Sequence, residues 1–336
     1  MPGIAETPEA QRELTRKKFA GLFGVPEFVL PYLPYFVTER EMALVIRLDG
    51  QRCSLPEIAG KLGCPAEEIE AFLEECYVGK LLHREEVQGE MVYWAADFYE
   101  RLDYLCKFKE DYRELDQELL QALDKWCYET YARKMAPYLE ALGKGEFVER
   151  APETFELIEN LERLLAGVRE IRLVPCNCRQ LAGCGRPTGT CFSFDGSITD
   201  RSLGRALTKK EAKEIILSAH KQGLMQQVNS DWRTQGAAWL CNCCACCCYP
   251  TRLAQEKGTK GVFPVVQYVA RRDLKRCAHC GACARRCNFG AFFPGEAGII
   301  VEGKVRKKVE FAPEKCWGCG SCVDVCAKEA ILMVPR

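Results

Sequence analysis

Two cysteine runs near the end of the chain dominate the sequence: CAHCGACARRC at residues 277–287 and CWGCGSCVDVC at residues 316–326. Both runs share the spacing C-x2-C-x2-C-x3-C. Two residues between cysteines let a tight loop turn three sulfurs toward one centre. The fourth sulfur of that centre must come from elsewhere, because the loop has used its turning capacity. This repeated arrangement of thiols predicts a scaffold for metal centres.

The repeated run resembles that of the two-cluster bacterial ferredoxins, whose thiolates hold [4Fe–4S] cubanes. The resemblance covers residues 263–336 and implies crossed ligation, since in that family the last cysteine of each run binds the other cluster. The first cluster would be held by Cys277, Cys280, Cys283 and Cys326, and the second by Cys316, Cys319, Cys322 and Cys287. Asn288 and Ala327 replace the proline that usually follows the fourth cysteine, which we expect to alter loop stiffness and not ligation. Zinc, which CxxC pairs also bind, is the alternative.

The composition of the whole chain narrows its class. Among 336 residues, 47 Lys and Arg balance 47 Asp and Glu, which disfavours nucleic-acid binding because that affinity depends on neutralising phosphates. The opening stretch MPGIAETPEAQRELTRKK lacks the apolar segment of a signal peptide, and no apolar run is long enough to span a membrane. Because the 23 cysteines are bunched and no export signal is read, we expect metal ligands and not disulfides, in a cytoplasm low in oxygen.

A second set of cysteines lies in residues 171–262. The stretch 171–175 is predicted to be a strand that delivers Cys176 and Cys178 on one face, because residues i and i+2 of a strand point the same way. Cys184 and Cys191 follow in a predicted glycine-rich loop. The stretch CNCCACCC at residues 241–248 then adds Cys241, Cys243, Cys244, Cys246, Cys247 and Cys248.

Six thiols in eight residues cannot be explained by packing, and neighbouring side chains diverge, so one cluster could use only some of them. The ten thiols of this region predict one or two further iron–sulfur clusters. Zinc, or an unusual cluster shared by more than four thiols, is the alternative. The layout over residues 171–250 resembles a cysteine-rich domain that precedes a two-cluster ferredoxin in uncharacterised iron–sulfur proteins of anaerobes. That resemblance implies metal without implying a reaction.

The start of the chain is predicted to be mainly helical. Residues 1–98 combine an entry segment with three short helices, at 39–48, 55–62 and 66–80, followed by a hairpin. This order resembles a winged helix-turn-helix domain. The third helix is acidic and would repel phosphates, so we expect it to pack or to dock a partner and not to bind DNA. Its carboxylates are Glu67, Glu68, Glu70, Glu74 and Glu75.

Residues 99–170 are predicted to form long helices, with a kink or break at Pro137 and a last helix capped by Thr154. Single cysteines in this half are expected to be small buried hydrophobic residues. They are Cys53, Cys64, Cys76, Cys106 and Cys127. The predicted fold class is α+β and multidomain: a winged-helix-like and helical N-terminal half, a cysteine-rich α/β middle domain, and a C-terminal ferredoxin-like 2[4Fe–4S] domain.

Three functions compete. The favoured hypothesis is an iron–sulfur electron-transfer protein or subunit that passes single electrons to or from a partner oxidoreductase. The alternatives are a reductase with a catalytic iron–sulfur centre in the middle domain and a redox-responsive winged-helix regulator. No GxGxxG, GxxxxGK[ST] or HExxH motif occurs in a suitable context, so the sequence assigns no catalytic residue. It favours a carrier and leaves enzyme activity undecided.

Charge in the ferredoxin-like region suggests a partner. Residues 265–336 contain 13 Lys and Arg against 7 Asp and Glu. This surplus either balances the negative clusters or forms a docking face for an acidic redox protein. The helical half could also close a homo-oligomer. His279, between two cluster ligands, could tune a potential, whereas His83 and His220 are expected at the surface.

Overall fold

The computed structural model describes residues 8–301 and 303–336 and separates into two units, Met1–Leu123 and Asp124–Arg336. The helices of the first unit are α1 (Pro8–Phe23), α2 (Leu33–Phe36), α3 (Glu39–Leu48), α4 (Leu55–Leu62), α5 (Ala66–Val78) and α6 (Phe98–Phe108). Its strands are β1 (Cys53–Ser54), β2 (Leu82–Val87) and β3 (Glu90–Ala95). They pair antiparallel in the order β1-β3-β2. Helix α7 (Gln117–Lys144) begins in the first unit and continues into the second.

Local capping determines where the first-unit helices begin. The Thr38 hydroxyl accepts the Glu41 N–H, and the Glu41 carboxylate accepts the Thr38 N–H in return, at 3.2 and 2.7 Å. Ser54 and Glu57 form the same reciprocal box. Such boxes satisfy backbone donors that a helix start leaves unpaired. The predicted helices at 39–48 and 55–62 are confirmed with these bounds, and the third helix ends two residues early, at Val78.

The second unit is built on one six-stranded sheet. Its further helices are α8 (Leu161–Ala166), α9 (Asn177–Ala182), α10 (Lys209–Lys221), α11 (Trp232–Gln235), α12 (Tyr249–Lys257) and α13 (Ala282–Arg286). The sheet strands are β4 (Glu153–Glu156), β5 (Ile171–Val174), β6 (Cys191–Phe194), β7 (Arg205–Ala206), β8 (Met225–Asn229) and β9 (Trp239–Cys243). They pair antiparallel in the order β4-β8-β9-β6-β5-β7.

Helices α8 and α10 cover one face of this sheet. The apolar core on that face includes Leu161, Leu164, Phe192, Phe194, Ile216 and Leu240. Successive side chains of a strand point to opposite faces, so Cys191 of β6 and Cys241 and Cys243 of β9 point away from that core. The register places Cys191 opposite Cys241, and Cys241 opposite Gln227 of β8. Strand pairing therefore gathers thiols on the face that the two helices leave open.

The end of the second unit carries two strand pairs around the cysteine runs. Strand β10 (Tyr268–Arg272) pairs antiparallel with β13 (Ile331–Pro335). Strands β11 (Phe292–Val301) and β12 (Lys304–Phe311) form a hairpin between the two runs. Strand β10 precedes the first cysteine run in sequence. Among the described residues, no helix combines the length and apolarity that a membrane span requires.

One prediction for the helical region is wrong, and one alternative of another is excluded. Thr154 does not cap a helix: it lies in β4, paired with Val228, and its hydroxyl donates to the Val265 carbonyl at 2.9 Å. The sheet supplies a partner strand that the local pattern could not reveal, and the helix carrying Leu164 begins only at Leu161. Of the kink or break predicted at Pro137, the break does not occur, because α7 continues through this residue to Lys144.

Candidate metal centres

The first cysteine run meets the last cysteine of the second run. Cys277, Cys280 and Cys283 line a cavity of about 170 Å³ together with Cys326. The loop turns at Gly281, whose φ of +76° is open to glycine. Burial, with smaller contributions from the neighbouring thiolates of Cys277, Cys280 and Cys326, raises the pKa of Cys283 to about 11. Four thiols from two distant segments therefore face one space.

The second run meets the last cysteine of the first run in the same way. Burial, with smaller contributions from the thiolates of Cys287 and Cys316, raises the pKa of Cys319 to about 11. Burial also raises the pKa of Cys322, with Cys319, Cys316 and Cys287 adding to the effect. These four thiols form the counterpart of the first group.

Backbone N–H groups stabilise both crossing thiols alike. The N–H of Ala291 donates to Cys287 Sγ, and the N–H of Ala330 donates to Cys326 Sγ, each at 3.2 Å. Both donors stand four residues after the sulfur. Such N–H···S bonds favour the thiolate form that metal binding requires.

Two histidines of the second unit are buried and make hydrogen bonds through their ring nitrogens. His279 is 7% exposed, and its Nδ1 accepts the N–H of Val309 at 2.9 Å. Burial lowers the pKa of His279, and Arg272 and Lys308 lower it further. The surface prediction for His220 is wrong: it is 4% exposed, its Nε2 bonds the Asp324 carboxylate, and its Nδ1 lies 2.7 Å from Gln226 Oε1.

Six middle-domain thiols form a group that we call the six-thiol ring. Its members are Cys176, Cys178, Cys191, Cys241, Cys243 and Cys248. Cys176 hydrogen-bonds to Cys178 and Cys191, and Cys191 in turn to Cys241. Cys243 bonds both Cys241 and Cys248. Cys248 also acts electrostatically on Cys178, so the two ends of the series lie near each other.

The secondary structure that carries the early ring thiols differs from the sequence prediction. The strand that was to carry Cys176 and Cys178 ends at Val174, before Pro175, which has no N–H for the ladder. Cys178 instead lies in α9, and the N–H of Tyr249 donates to its sulfur at 3.5 Å. Cys191, expected in a loop, lies in β6. The two early thiols still meet, although through a helix start.

Polar groups around the ring fit a negatively charged occupant. The Arg179 side chain is 1% exposed and donates to the carbonyls of Pro187 and Asn242 at 2.8 and 2.5 Å. Burial opposes its charge, but the thiolates of Cys176 and Cys191 outweigh this and raise its pKa. The oxygen Oε1 of Gln227 accepts from Cys243 at 3.2 Å, while its buried amide nitrogen has no protein partner among the described residues. A free donor beside thiolates suits the sulfides of an iron–sulfur cluster.

The four remaining thiols of the middle domain form a second group, the compact quartet. It consists of Cys184, Cys244, Cys246 and Cys247, whose Sγ atoms all lie within 4.8 Å of one another. The hydrogen bond from Cys247 lowers the pKa of Cys244 to about 4 against the effect of burial. The sequence predicted that all ten thiols bind metal, but gave no sign of their division into six and four.

An aromatic core links the second cysteine run to the middle sheet. Trp317, next to Cys316, stacks on Phe289 with ring centres 4.4 Å apart. Both rings contact Phe155 of β4. The same core contains Met225 of β8, with Ala245 of the CNCCACCC stretch and Cys319 packed against it. The ferredoxin-like region and the cysteine-rich sheet thus share packed side chains.

The five single cysteines lie outside the thiol groups described above. Cys53, Cys76, Cys106 and Cys127 are buried, as expected of small hydrophobic residues, and Cys64 is partly exposed. The Cys106 thiol donates to the carbonyl of Asp103 at 3.3 Å. None of them belongs to a close group of metal-binding side chains within the described ranges.

Comparison with known proteins identifies one region. Residues 276–330 match the family described as a 4Fe-4S dicluster domain. No curated protein and no solved structure matches the chain significantly. The C-terminal region is therefore a ferredoxin-type iron–sulfur domain, and the matched range contains both cysteine runs.

Proposed function

We propose that this protein is an iron–sulfur electron carrier, or an electron-transfer subunit, that exchanges single electrons with a partner oxidoreductase. The observation that carries the proposal is that the dicluster domain and the six-thiol ring lie in one unit, in which an aromatic core joins the second cysteine run to strands β4 and β8 of the sheet that carries ring thiols. A [4Fe–4S] centre moves one electron, and the protein sets its potential through hydrogen bonds, charge and exposure.

The dicluster domain would hold two clusters by crossed ligation. One would bind Cys277, Cys280, Cys283 and Cys326, and the other Cys316, Cys319, Cys322 and Cys287. The shared cavity of the first four, the electrostatic coupling within the second four, and the matching N–H···S bonds on the crossing thiols support this assignment.

The six-thiol ring would hold a further iron–sulfur centre. Six thiolates exceed the four of a single cubane, which favours a centre larger than a cubane or one in which two thiols are not ligands. The buried Arg179 guanidinium would offset part of the negative charge, and the free amide of Gln227 would donate to it. Electrons would pass between this centre and the dicluster domain near Met225, Phe155 and Trp317.

Exchange with a partner would occur at the first cluster. Cys280 is the exposed thiol among the dicluster cysteines. It borders a cavity of about 420 Å³ lined by Arg285, Arg306 and Lys307. A cationic rim beside an exposed ligand favours a carboxylate-rich redox partner, whose approach it would steer.

The first unit would serve docking or self-association. Its three helices and hairpin fit a winged-helix-like arrangement, but α5 carries five carboxylates. Their charge opposes binding to phosphates, so the regulator hypothesis is the weaker one. We therefore propose that the protein acts in the cytoplasm and does not bind nucleic acid.

Metal counting with EPR tests the proposal. Protein prepared without oxygen should contain iron and acid-labile sulfide beyond the roughly eight of each that two cubanes need. Reduction should produce signals of interacting clusters. Cys322→Ser should lose about four irons, whereas the matched variant Cys106→Ser, also buried but outside every thiol group, should lose none. Zinc in place of iron in the dicluster domain, or no reducible centre, would refute the function.

A further inference from the structure

The compact quartet differs in dimensions from every other thiol group in the described chain. All four Sγ atoms of Cys184, Cys244, Cys246 and Cys247 lie within 4.8 Å of one another. Within residues 8–301 and 303–336, no other set of three or more His, Cys, Asp or Glu ligand atoms is so close, the dicluster quartets included. The two kinds of quartet therefore have different sizes.

This size distinguishes two kinds of metal centre. Four bonds of about 2.3 Å to one ion put tetrahedral sulfurs about 3.8 Å apart. In a cubane each thiolate binds a different iron, so the sulfurs stand further apart by the width of the cluster. The sulfurs of Cys246 and Cys247 are 3.6 Å apart, which is close to the sulfur–sulfur distance expected around a single ion.

A disulfide does not explain the group. Bonded sulfurs lie about 2.05 Å apart, well below the 3.6 Å between Cys246 and Cys247. Each sulfur also has three close sulfur neighbours and not one. Four converging thiols match the tetrahedral S4 donor set typical of a single zinc or iron ion.

The surroundings suit a closed structural site. Cys244 and Cys247 are buried in an apolar cluster with Ala219 and Leu224, and Cys184 packs against it. Cys246 is exposed and would give an ion access from solvent. Cys184 follows α9, whereas the other three thiols follow β9, so an ion would tie two segments that are distant in sequence.

We propose that the compact quartet binds one thiophilic metal ion, zinc or mononuclear iron, through four thiolates and without inorganic sulfide. This site goes beyond the proposed electron-transfer function, because its role would be structural whichever of the two ions it binds. Its role would be to hold the end of α9 against the end of β9. Those two elements carry Cys178, Cys241 and Cys243, so the ion would position half of the six-thiol ring.

Metal analysis of two variants separates this site from the clusters. Cys246→Ser should lose about one zinc or one iron per chain and no acid-labile sulfide. Cys64→Ser, another thiol that is not fully buried but lies outside every group, should match the wild type. Loss of about four irons with equal sulfide from Cys246→Ser would overturn the proposal in favour of a cubane. Unchanged metal content would also overturn it.

X-ray absorption on the wild-type chain gives a test that does not depend on folding of a variant. A zinc edge with four sulfur neighbours at about 2.3 Å and no nearby metal would establish the zinc form. If the preparation lacks zinc, one iron in excess of acid-labile sulfide, with the visible bands of an isolated ferric tetrathiolate, would establish the iron form. Absence of both signatures refutes the site while leaving the dicluster domain intact.

Discussion

The two cysteine-rich regions of the second unit assign their thiols in different ways. In the dicluster domain, a fixed spacing turns three sulfurs inward, and a repeat supplies the fourth, so the run itself indicates the partners. In the middle domain, adjacent cysteines such as Cys243 and Cys244 belong to different groups. There, strand alternation and pairing register place Cys191, Cys241 and Cys243, and the segments before and after the strands place the other thiols. Spacing determines a site built from one loop, whereas a site built across a sheet depends on the topology.

Double variants of the dicluster domain should lose the most iron, and their losses test whether each cluster takes its fourth ligand from the other run. If Cys280 and Cys326 hold one cluster, Cys280→Ser with Cys326→Ser should lose about four irons, the same as either change alone. Cys280→Ser with Cys287→Ser should lose about eight, because it damages both clusters. Iron and sulfide analysis of these two double variants provides the measurement. Equal losses from the two pairs would contradict crossed ligation.

Two neighbouring cysteines of the middle domain should differ in how much iron their replacement removes. Cys243→Ser removes a ring thiol and should lower iron content while the EPR signals of the dicluster domain persist. Cys244→Ser, the adjacent residue, should leave ring iron largely in place, because its sulfur belongs to the compact quartet. The same iron loss from both neighbours would show that the division into six and four is wrong.

Charge beside the ring should affect its potential. Arg179→Gln removes a buried cation close to Cys176 and Cys191, so the reduced form loses stabilisation and the potential falls. Arg179→Lys retains the charge and should lie nearer the wild type. Potentiometric titration followed by EPR measures the shift. A dicluster potential that moves as far as the ring potential would contradict a local effect.

Docking at the first cluster can be tested without an identified partner. Lys307→Glu reverses one charge of the cationic cavity beside Cys280. Stopped-flow oxidation by the anion ferricyanide should slow several-fold at low salt, and oxidation by a cationic cobalt hexaammine should not slow. Lys144→Glu, an exposed charge on α7 that does not line the cavity, serves as the control. Equal slowing by both oxidants would argue for structural damage instead.

The smallest effect concerns the first unit, whose cysteines are single. Removal of iron by an anaerobic chelator should abolish amide protection in β6 and β9, because their thiols lose the centre that joins them. Protection of α3 should hardly change, since a capping box and buried leucines stabilise it. Hydrogen exchange with mass spectrometry compares both segments in one sample. Loss of protection in α3 would show that the first unit depends on metal.

The sequence predicted features that depend on neighbours in the chain. The helices at 39–48 and 55–62 were predicted with their observed bounds, and in the structure each begins at a capping box, in which a short polar side chain and a glutamate three residues later satisfy each other's backbone groups. The dicluster runs are recognisable because a loop of fixed length positions its own sulfurs. Both signals are local, and both identify the structure without knowledge of the rest of the fold.

Contacts between residues distant in sequence are visible only in the tertiary structure. It gave Thr154 a strand partner in β8, buried His220 against Asp324, and divided the ten middle thiols into a ring and a quartet. The strand order β8-β9-β6 brings Gln227, Cys241 and Cys191 side by side, although two helices and two strands separate β6 from β9 in sequence. Pairing register across a sheet is a long-range property, and the spacing of residues along one chain does not encode it.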